Sequence, residues 1–245
     1  LDLEITPNRP DLLSIIGIAR EIAAIENTKI KYPILKTDLK PEKNTKILPL
    51  KIHPNYEINP RLTGIIINNV NVKDSPTWLK EKLGKLGQKP INNIVDITNF
   101  VMYELGNPIH SFDYHKIAGQ EMWVKQSAGG EKFESVDEIT YHLPKGAIVY
   151  EDTEKIFDLV GIKGGKNSGT YKGTKAVFIV VEVDDPILIR KASIALSLRS
   201  AASAIFDRNV NGGGTIDALK CTVDLILEKA GGAIESDLID LNETD

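Results

Sequence analysis

The sequence predicts an α+β fold, with mixed or antiparallel sheets stacked in layers and helices flanking them at both ends of the chain. Apolar residues recur at helical spacing in the opening and closing segments, whereas the middle third changes to short β-rich runs divided by Gly, Pro and Lys turns. Strands and helices do not alternate as βαβ units, which argues against a parallel, doubly wound sheet.

The opening stretch TPNRPDLLSIIGIAREIAAIEN reads as one helix. Asn8 precedes Pro10, proline suits a first helical turn, and Leu12, Ile15, Ile16, Ala19, Ile22 and Ala23 recur on one face that must pack on something. Residues 27–60 carry five prolines and alternating charge, predicting a long connection with a strand near Ile47 to His53. RLTGIIINNVNV is β-branched and strand-like. DSPTWLKEKLGKLGQKP then predicts a helix with Ser75 as N-cap, Pro76 at the first position, and Leu79, Leu83 and Leu86 as its inner stripe.

In the next helix Asn92 or Asn93 can cap, Ile94, Ile97, Val101 and Leu105 share a face, and Gly106 followed by Pro108 is a stop signal. Thr98 and Asn99 sit midway along it, and the following loop returns His110 toward them. EMWVKQS, GAIVYED, EKIFDLVGI and KAVFIVVEVD are the strands of the middle third. Helices resume at Asp185-Pro186, continue through SAASAIFDR and finish over residues 215–230, where Leu219, Val223 and Ile226 form a stripe ended by Gly231-Gly232.

At 245 residues with 42% hydrophobic content, the chain can bury a normal core. It reads as a single domain over residues 1–245, with a leading helix over 1–26, a connection over 27–60 and a main body over 61–245. Cys221 is the one cysteine, so neither an intrachain disulfide nor a zinc site of Cys pairs is available, which fits a reducing, cytoplasmic compartment. A net charge of -4 gives no overall basic field, so nucleic-acid contact must be local or depend on a larger assembly. This acidity, with no aromatic-basic stripe, argues against a free-standing nucleic-acid binder. No apolar run reaches membrane-spanning length. The chain opens without Met inside what reads as an ordered segment, which predicts an excised fragment.

The familiar catalytic patterns are missing: there is no GxSxG elbow, GxxxxGK[ST] phosphate loop, HExxH or acidic set spaced for Mg²⁺. GIKGG, residues 161–165, is either a tight turn between strands or a place where backbone N–H groups approach a ligand or a developing oxyanion. His110 is either a structural hydrogen-bonding group or an acid-base or water-holding group, with Thr98 and Asn99 completing a polar set. Glu182 interrupts the otherwise apolar VFIVVEV, and alternation puts it on the face of Phe178 and Val180. It is either exposed on an edge strand or buried for a reason, such as a donor supplied by a ligand.

Taken together, TPNRPDLLSIIGIAREIAA, SPTWLKEKLGKLGQKPINNIVDITNFVMYELGNPIHSFD, and VGIKGG with TKAVFIVVEVDDPILIRKAS resemble the editing region of the bacterial-type phenylalanyl-tRNA synthetase β subunit, in order and over nearly the whole chain. The resemblance implies layered sheets flanked by helices, and a proofreading site that hydrolyses tyrosine wrongly esterified to phenylalanine tRNA. It implies catalytic roles around the ester and its water for Thr98, Asn99 and His110. It implies substrate-binding roles for Glu182, meeting the ring hydroxyl, and for Gly161, Gly164 and Gly165, lying close to the amino acid. No metal or cofactor is implied in this domain. ATP and Mg²⁺ would belong to other parts of an α2β2 holoenzyme, in which the partners would be the α subunit and phenylalanine tRNA. The alternative is a non-catalytic scaffold or tRNA-docking module of the same subunit.

Three departures from the family pattern stand out. SAASAIFDR replaces T-E-A-S-x-R-F-E-R, with Ala201 at the Glu position and Ile205 at the Arg position; the two residues able to form an ion pair are replaced together, which reads as a structural replacement or, alternatively, as an altered tRNA-facing surface. Val136 to Glu138 stands where L-D-G is usual, predicting a hairpin of different shape. Val160 replaces the usual Ala, predicting a narrower pocket.

Overall fold

The computed structural model describes residues 3–243. After a 3-10 turn over Pro10–Leu13 come α1 (Ile15–Ile25), β1 (Lys51–His53), β2 (Arg61–Asn68), α2 (Thr77–Lys85), α3 (Asn93–Leu105), β3 (Ile109–Asp113) and β4 (Glu121–Gln126). Short strands follow: β5 (Lys132–Glu134), β6 (Thr140–His142), β7 (Ile148–Glu151), β8 (Ile156–Leu159) and β9 (Lys163–Gly164). The long strand β10 (Ala176–Val183) leads to α4 (Pro186–Leu196), α5 (Ala201–Phe206), α6 (Thr215–Ala230), β11 (Ala233–Ile234) and β12 (Ile239–Asn242).

Two sheets form the body. The central sheet is antiparallel, in the order β11-β2-β10-β3, with β12 continuing the β2 edge that β11 begins. The second sheet runs β1-β4-β7-β8-β9 and is mixed, because β1 pairs parallel with β4 while the other pairs are antiparallel. A ribbon of β5 and β6 stands apart and touches the second sheet through the Ser135–Gly165 bridge.

Alternation along β10 divides the apolar side chains between two cores. Val177, Ile179 and Val181 face a helical layer in which Leu79 and Leu83 of α2, Ile94, Ile97 and Val101 of α3, and Leu219, Val223 and Ile226 of α6 are buried. Phe178 and Val180 face the other way, into a layer shared with Phe157 and Leu159 of β8, Ile189 of α4 and Phe206 of α5. Both faces of β10 are thus covered, which explains why its sequence is a continuous apolar run instead of alternating with polar residues. The expected α+β layering is the architecture observed.

Several local expectations change. The opening helix is broken: Ser14 takes extended backbone after the 3-10 turn, and its hydroxyl oxygen accepts a hydrogen bond from the Gly17 N–H, so Ser14 caps α1. α1 packs against α3, but only one edge of its apolar stripe is covered, leaving Ile15 49% and Ile22 47% exposed. Ser75 does not cap α2. Its hydroxyl donates to Asp96, the carboxylate that also accepts from the Ile91 N–H, and so ties the start of α2 to α3. Leu86 lies past the end of α2 and is exposed. Asn92 is the α3 cap, accepting from the Ile94 and Val95 N–H groups, and the helix ends at Gly106 with φ 85°. At Val136–Glu138 the turn keeps a left-handed residue, Glu138 with φ 62°, at the position where glycine is usual. Ser135 and Asp137 hydrogen-bond across that turn and Lys163 pairs with Asp137 at 2.9 Å, contacts that hold the unfavourable backbone in place.

Candidate functional site

The polar residues singled out in the sequence converge at one end of the inter-sheet layer. β3 pairs with β10 so that His110 lies opposite Val180 and Phe112 opposite Phe178. Residues 110 and 112 therefore project from the same face as 178, 180 and 182, which sets His110 diagonally beside Glu182. α3 supplies Asn99 and Met102, the β8–β9 turn supplies Gly161 to Gly164, and the start of α5 supplies Ser200 to Ala202. These residues enclose a cavity of about 210 Å³, a size suited to one amino-acid side chain. A larger cavity of about 480 Å³ lies beside α1 and the N-terminal end of α6, and none of the predicted site residues lines it.

Glu182 is not on an edge. β10 lies between β2 and β3, and Glu182 is 5% exposed, its Oε2 without a hydrogen-bond partner in the protein. Burial, reinforced by the nearby charge of Asp184, pushes its carboxyl well above the usual range and so favours the uncharged form. A buried polar atom left unpaired in this way costs free energy until something pairs with it.

His110 packs its ring on Phe112, with centroids 4.4 Å apart. Burial lowers its pKa to about 4, so the imidazole is neutral through the physiological range. Gly164 allows the close approach of β9: a Cβ there would lie 3.3 Å from His110 Cε1 and 3.8 Å from Asp158 Oδ1. Gly161 turns the chain with φ 69°, and a Cβ there would lie 2.8 Å from a ring carbon of Phe206. GIKGG is thus a strand-connecting turn that also forms a wall of the cavity.

Two predicted residues stand outside the cavity. Thr98 is buried on the neighbouring side of α3, its hydroxyl donating 2.8 Å to the Val95 carbonyl within the helix, while Asn99 lines the cavity. Consecutive helical residues diverge by about 100° around the axis, so the Thr-Asn pair is divided between core and cavity. Gly165 bridges Ser135 and does not line the cavity either. Val160 is fully buried in the core beside the cavity without lining it, whereas Ala201 is a lining residue. Ile205, at the family's Arg position, is buried in the apolar layer.

Sequence reasoning missed Asp158. It is 4% exposed on β8, lines the same cavity, and carries a buried Oδ1 with no hydrogen-bond partner in the protein. Burial and the charge of Asp184 hold it, too, well above the usual carboxylate range. The signal was present in EKIFDLVGI, an acid inside an apolar run, as in VFIVVEV. Asp184 itself is buried, pushed up to about 7 mainly by burial, and accepts a 2.8 Å hydrogen bond from the Asn59 amide. Among the described residues, no group of three or more His, Cys, Asp or Glu side chains is arranged to hold a metal ion, nor is any helix long and apolar enough to cross a membrane.

Comparison with known proteins agrees with this architecture. The phenylalanine-tRNA ligase β subunit of Carboxydothermus hydrogenoformans is 39% identical over 235 residues, covering 96% of this chain and 29% of the relative. That of Thermotoga maritima is 38% identical over 239 residues, with the same shares of the two chains. The chain thus spans less than a third of the length of these relatives. A crystal structure of an N-terminal fragment of the phenylalanyl-tRNA synthetase β subunit from Pyrococcus horikoshii shares the fold, with a TM-score of 0.54 at 17% identity, covering 97% of this chain and 65% of that one. The B3/4 domain model matches residues 58–231, from the approach to β2 through the end of α6. With strands β2 to β10 and the whole cavity wall inside that match, the chain belongs to the B3/4 domain family.

Proposed function

We propose that this domain is the editing site of a phenylalanyl-tRNA synthetase β subunit and hydrolyses tyrosine mischarged on phenylalanine tRNA. The observation that carries the proposal is the buried, unpartnered Glu182 carboxyl in a side-chain-sized cavity beside His110 and Asn99. A pocket shaped for phenylalanine rejects an added hydroxyl only weakly. A site holding an unpaired buried polar group prefers the hydroxylated ring, by roughly 10⁴-fold where the whole site is built for it, because phenylalanine leaves that group unsatisfied.

In this reading Glu182 selects, and the ester lies toward His110 and Asn99. An aminoacyl ester is already activated, so the domain needs to place a water and stabilise the tetrahedral oxyanion, without metal or cofactor. Neutral His110 orients that water through a ring nitrogen and is too weakly basic to hold a full proton. Asn99 contributes an amide to the same end, and the Gly161 N–H is the oxyanion donor of the turn, the Ile162 N–H being bonded to the Leu159 carbonyl. Thr98 acts indirectly in this scheme, by holding α3 against the core. ATP and Mg²⁺ are used elsewhere in an α2β2 cytoplasmic holoenzyme, whose α subunit and tRNA are the domain's partners.

The test is deacylation of tyrosyl- and phenylalanyl-tRNA(Phe) side by side, with this domain restored to its full synthetase. Rapid tyrosine-selective release that His110→Ala impairs supports the proposal. Release no faster than spontaneous hydrolysis, with normal charging, favours a scaffold or tRNA-docking role instead.

A further inference from the structure

We propose that Asp158 is a second specificity residue of this cavity, holding the ring hydroxyl of the bound amino acid from the side opposite Glu182. The inference rests on the editing function proposed above and adds to it a residue that the polar motifs around His110 do not include.

The geometry is that of two sheets closing on one cavity. Glu182 projects from β10 of the central sheet and Asp158 from β8 of the second sheet, and both line the same cavity. Each is more than nine-tenths buried, and each has one oxygen, Glu182 Oε2 and Asp158 Oδ1, without a partner in the protein. Two such groups in one cavity double the cost of leaving it filled by a ring with no polar substituent. A phenol hydroxyl has one proton to donate and two lone pairs to accept with, so it can pair with two carboxyl groups at once. Burial raises both carboxyls and so favours their uncharged forms, and a protonated carboxyl can donate to the hydroxyl while the other accepts from it. Tyr150, directly across the β7–β8 pair from Asp158, also has a buried, unpartnered hydroxyl, but it does not line the cavity and cannot read a ligand there.

The experiment measures kcat/KM for deacylation of tyrosyl- and phenylalanyl-tRNA(Phe) by the full synthetase carrying Asp158→Leu, Asp158→Ala or Asp158→Asn, each alone and combined with Glu182→Ala. Asparagine matches a protonated aspartic acid in shape and in its donor and acceptor, so Asp158→Asn is expected to keep the tyrosine preference within about threefold. Leucine and alanine remove the polar group and are expected to lower the tyrosine-to-phenylalanine ratio by roughly tenfold or more. In the double variants the losses are expected to be less than multiplicative, because both residues hold one hydroxyl. A structural Asp158 would slow both substrates alike and leave the ratio unchanged. Thermal melting identifies any variant that fails to fold, and Asp158→Ala serves if Asp158→Leu does.

An unchanged ratio in Asp158→Leu or Asp158→Ala, with the parent still selective for tyrosine and Glu182→Ala still erasing that selectivity, overturns the role of Asp158 and leaves the editing function standing. A parent enzyme with no preference for tyrosine overturns both.

Discussion

His110 and Glu182 are diagonal neighbours across the β3–β10 pair: His110 lies opposite Val180, and Glu182 follows two residues along on the same face. A titratable ring and a carboxyl with an unpartnered oxygen are thereby placed side by side in a layer that is otherwise packed with Phe112, Phe178 and Val180. Burial penalises whichever form carries charge, so it lowers His110 to about 4 and, with the charge of Asp184, raises Glu182.

Replacing Glu182 with Ala should erase the preference for tyrosyl over phenylalanyl ester while leaving slow hydrolysis of both. The comparison of kcat/KM for the two substrates checks it, and an unchanged ratio would remove Glu182 from the selecting role.

His110→Ala should slow tyrosyl-tRNA hydrolysis on the order of 10²-fold, the scale of a misplaced reacting water, with little change in the tyrosine-to-phenylalanine ratio. Because the His110 pKa is about 4, the parent's rate should show no inflection near pH 6.5. A pH–rate profile between 5 and 8 decides this, and a fall in rate through 6.5 that disappears in His110→Ala would contradict it.

Gly164→Ala should impair hydrolysis more than stability, since the new Cβ would lie 3.3 Å from His110 Cε1 and press the ring out of position. Gly161→Ala should do the reverse. Its φ of 69° and the 2.8 Å approach to Phe206 predict a loss of at least about 1 kcal/mol, readable as a lower urea midpoint.

The buried acids and His110 should tilt the stability curve in opposite directions. Asp184 titrates near 7 folded and at its ordinary 3.8 unfolded, so the native state binds the extra proton between these values, and stability is lost as pH rises through that window. Asp158 and Glu182, both raised, add to the same slope. His110 falls from 6.5 to about 4 on folding, so its contribution is lost as pH falls between them. Asp184→Asn should therefore flatten the decline toward neutral pH, and His110→Ala should steepen it. Denaturant melts of the two variants at pH 4.5 and 7 test both signs.

Local chemistry was legible wherever one segment contains the whole cause. The α3 stripe of Ile94, Ile97 and Val101, its Asn92 cap and its Gly106 stop all lie within fifteen residues of chain and appear as read. The same holds for α6 and for α4, where Asp185 caps Ile187 and Leu188. Boundaries failed where a distant partner intervened. Ser75 reads as a cap but is taken by Asp96, and the α1 stripe reads as buried, yet only its Ile16 edge is covered.

By itself, then, the sequence determined the α+β class, the central apolar strand with Glu182 on the face of Phe178 and Val180, and the loop that returns His110 toward α3, because period, caps and turns are properties of neighbouring residues. Tertiary structure alone decided that β10 is central, which buries Glu182. It also decided that Asn99 meets the cavity while Thr98 turns to the core, and that Asp158, from a different sheet, faces the same space. These outcomes depend on strand pairing and on how two sheets close over one another, and such contacts join segments that leave no shared pattern along the chain.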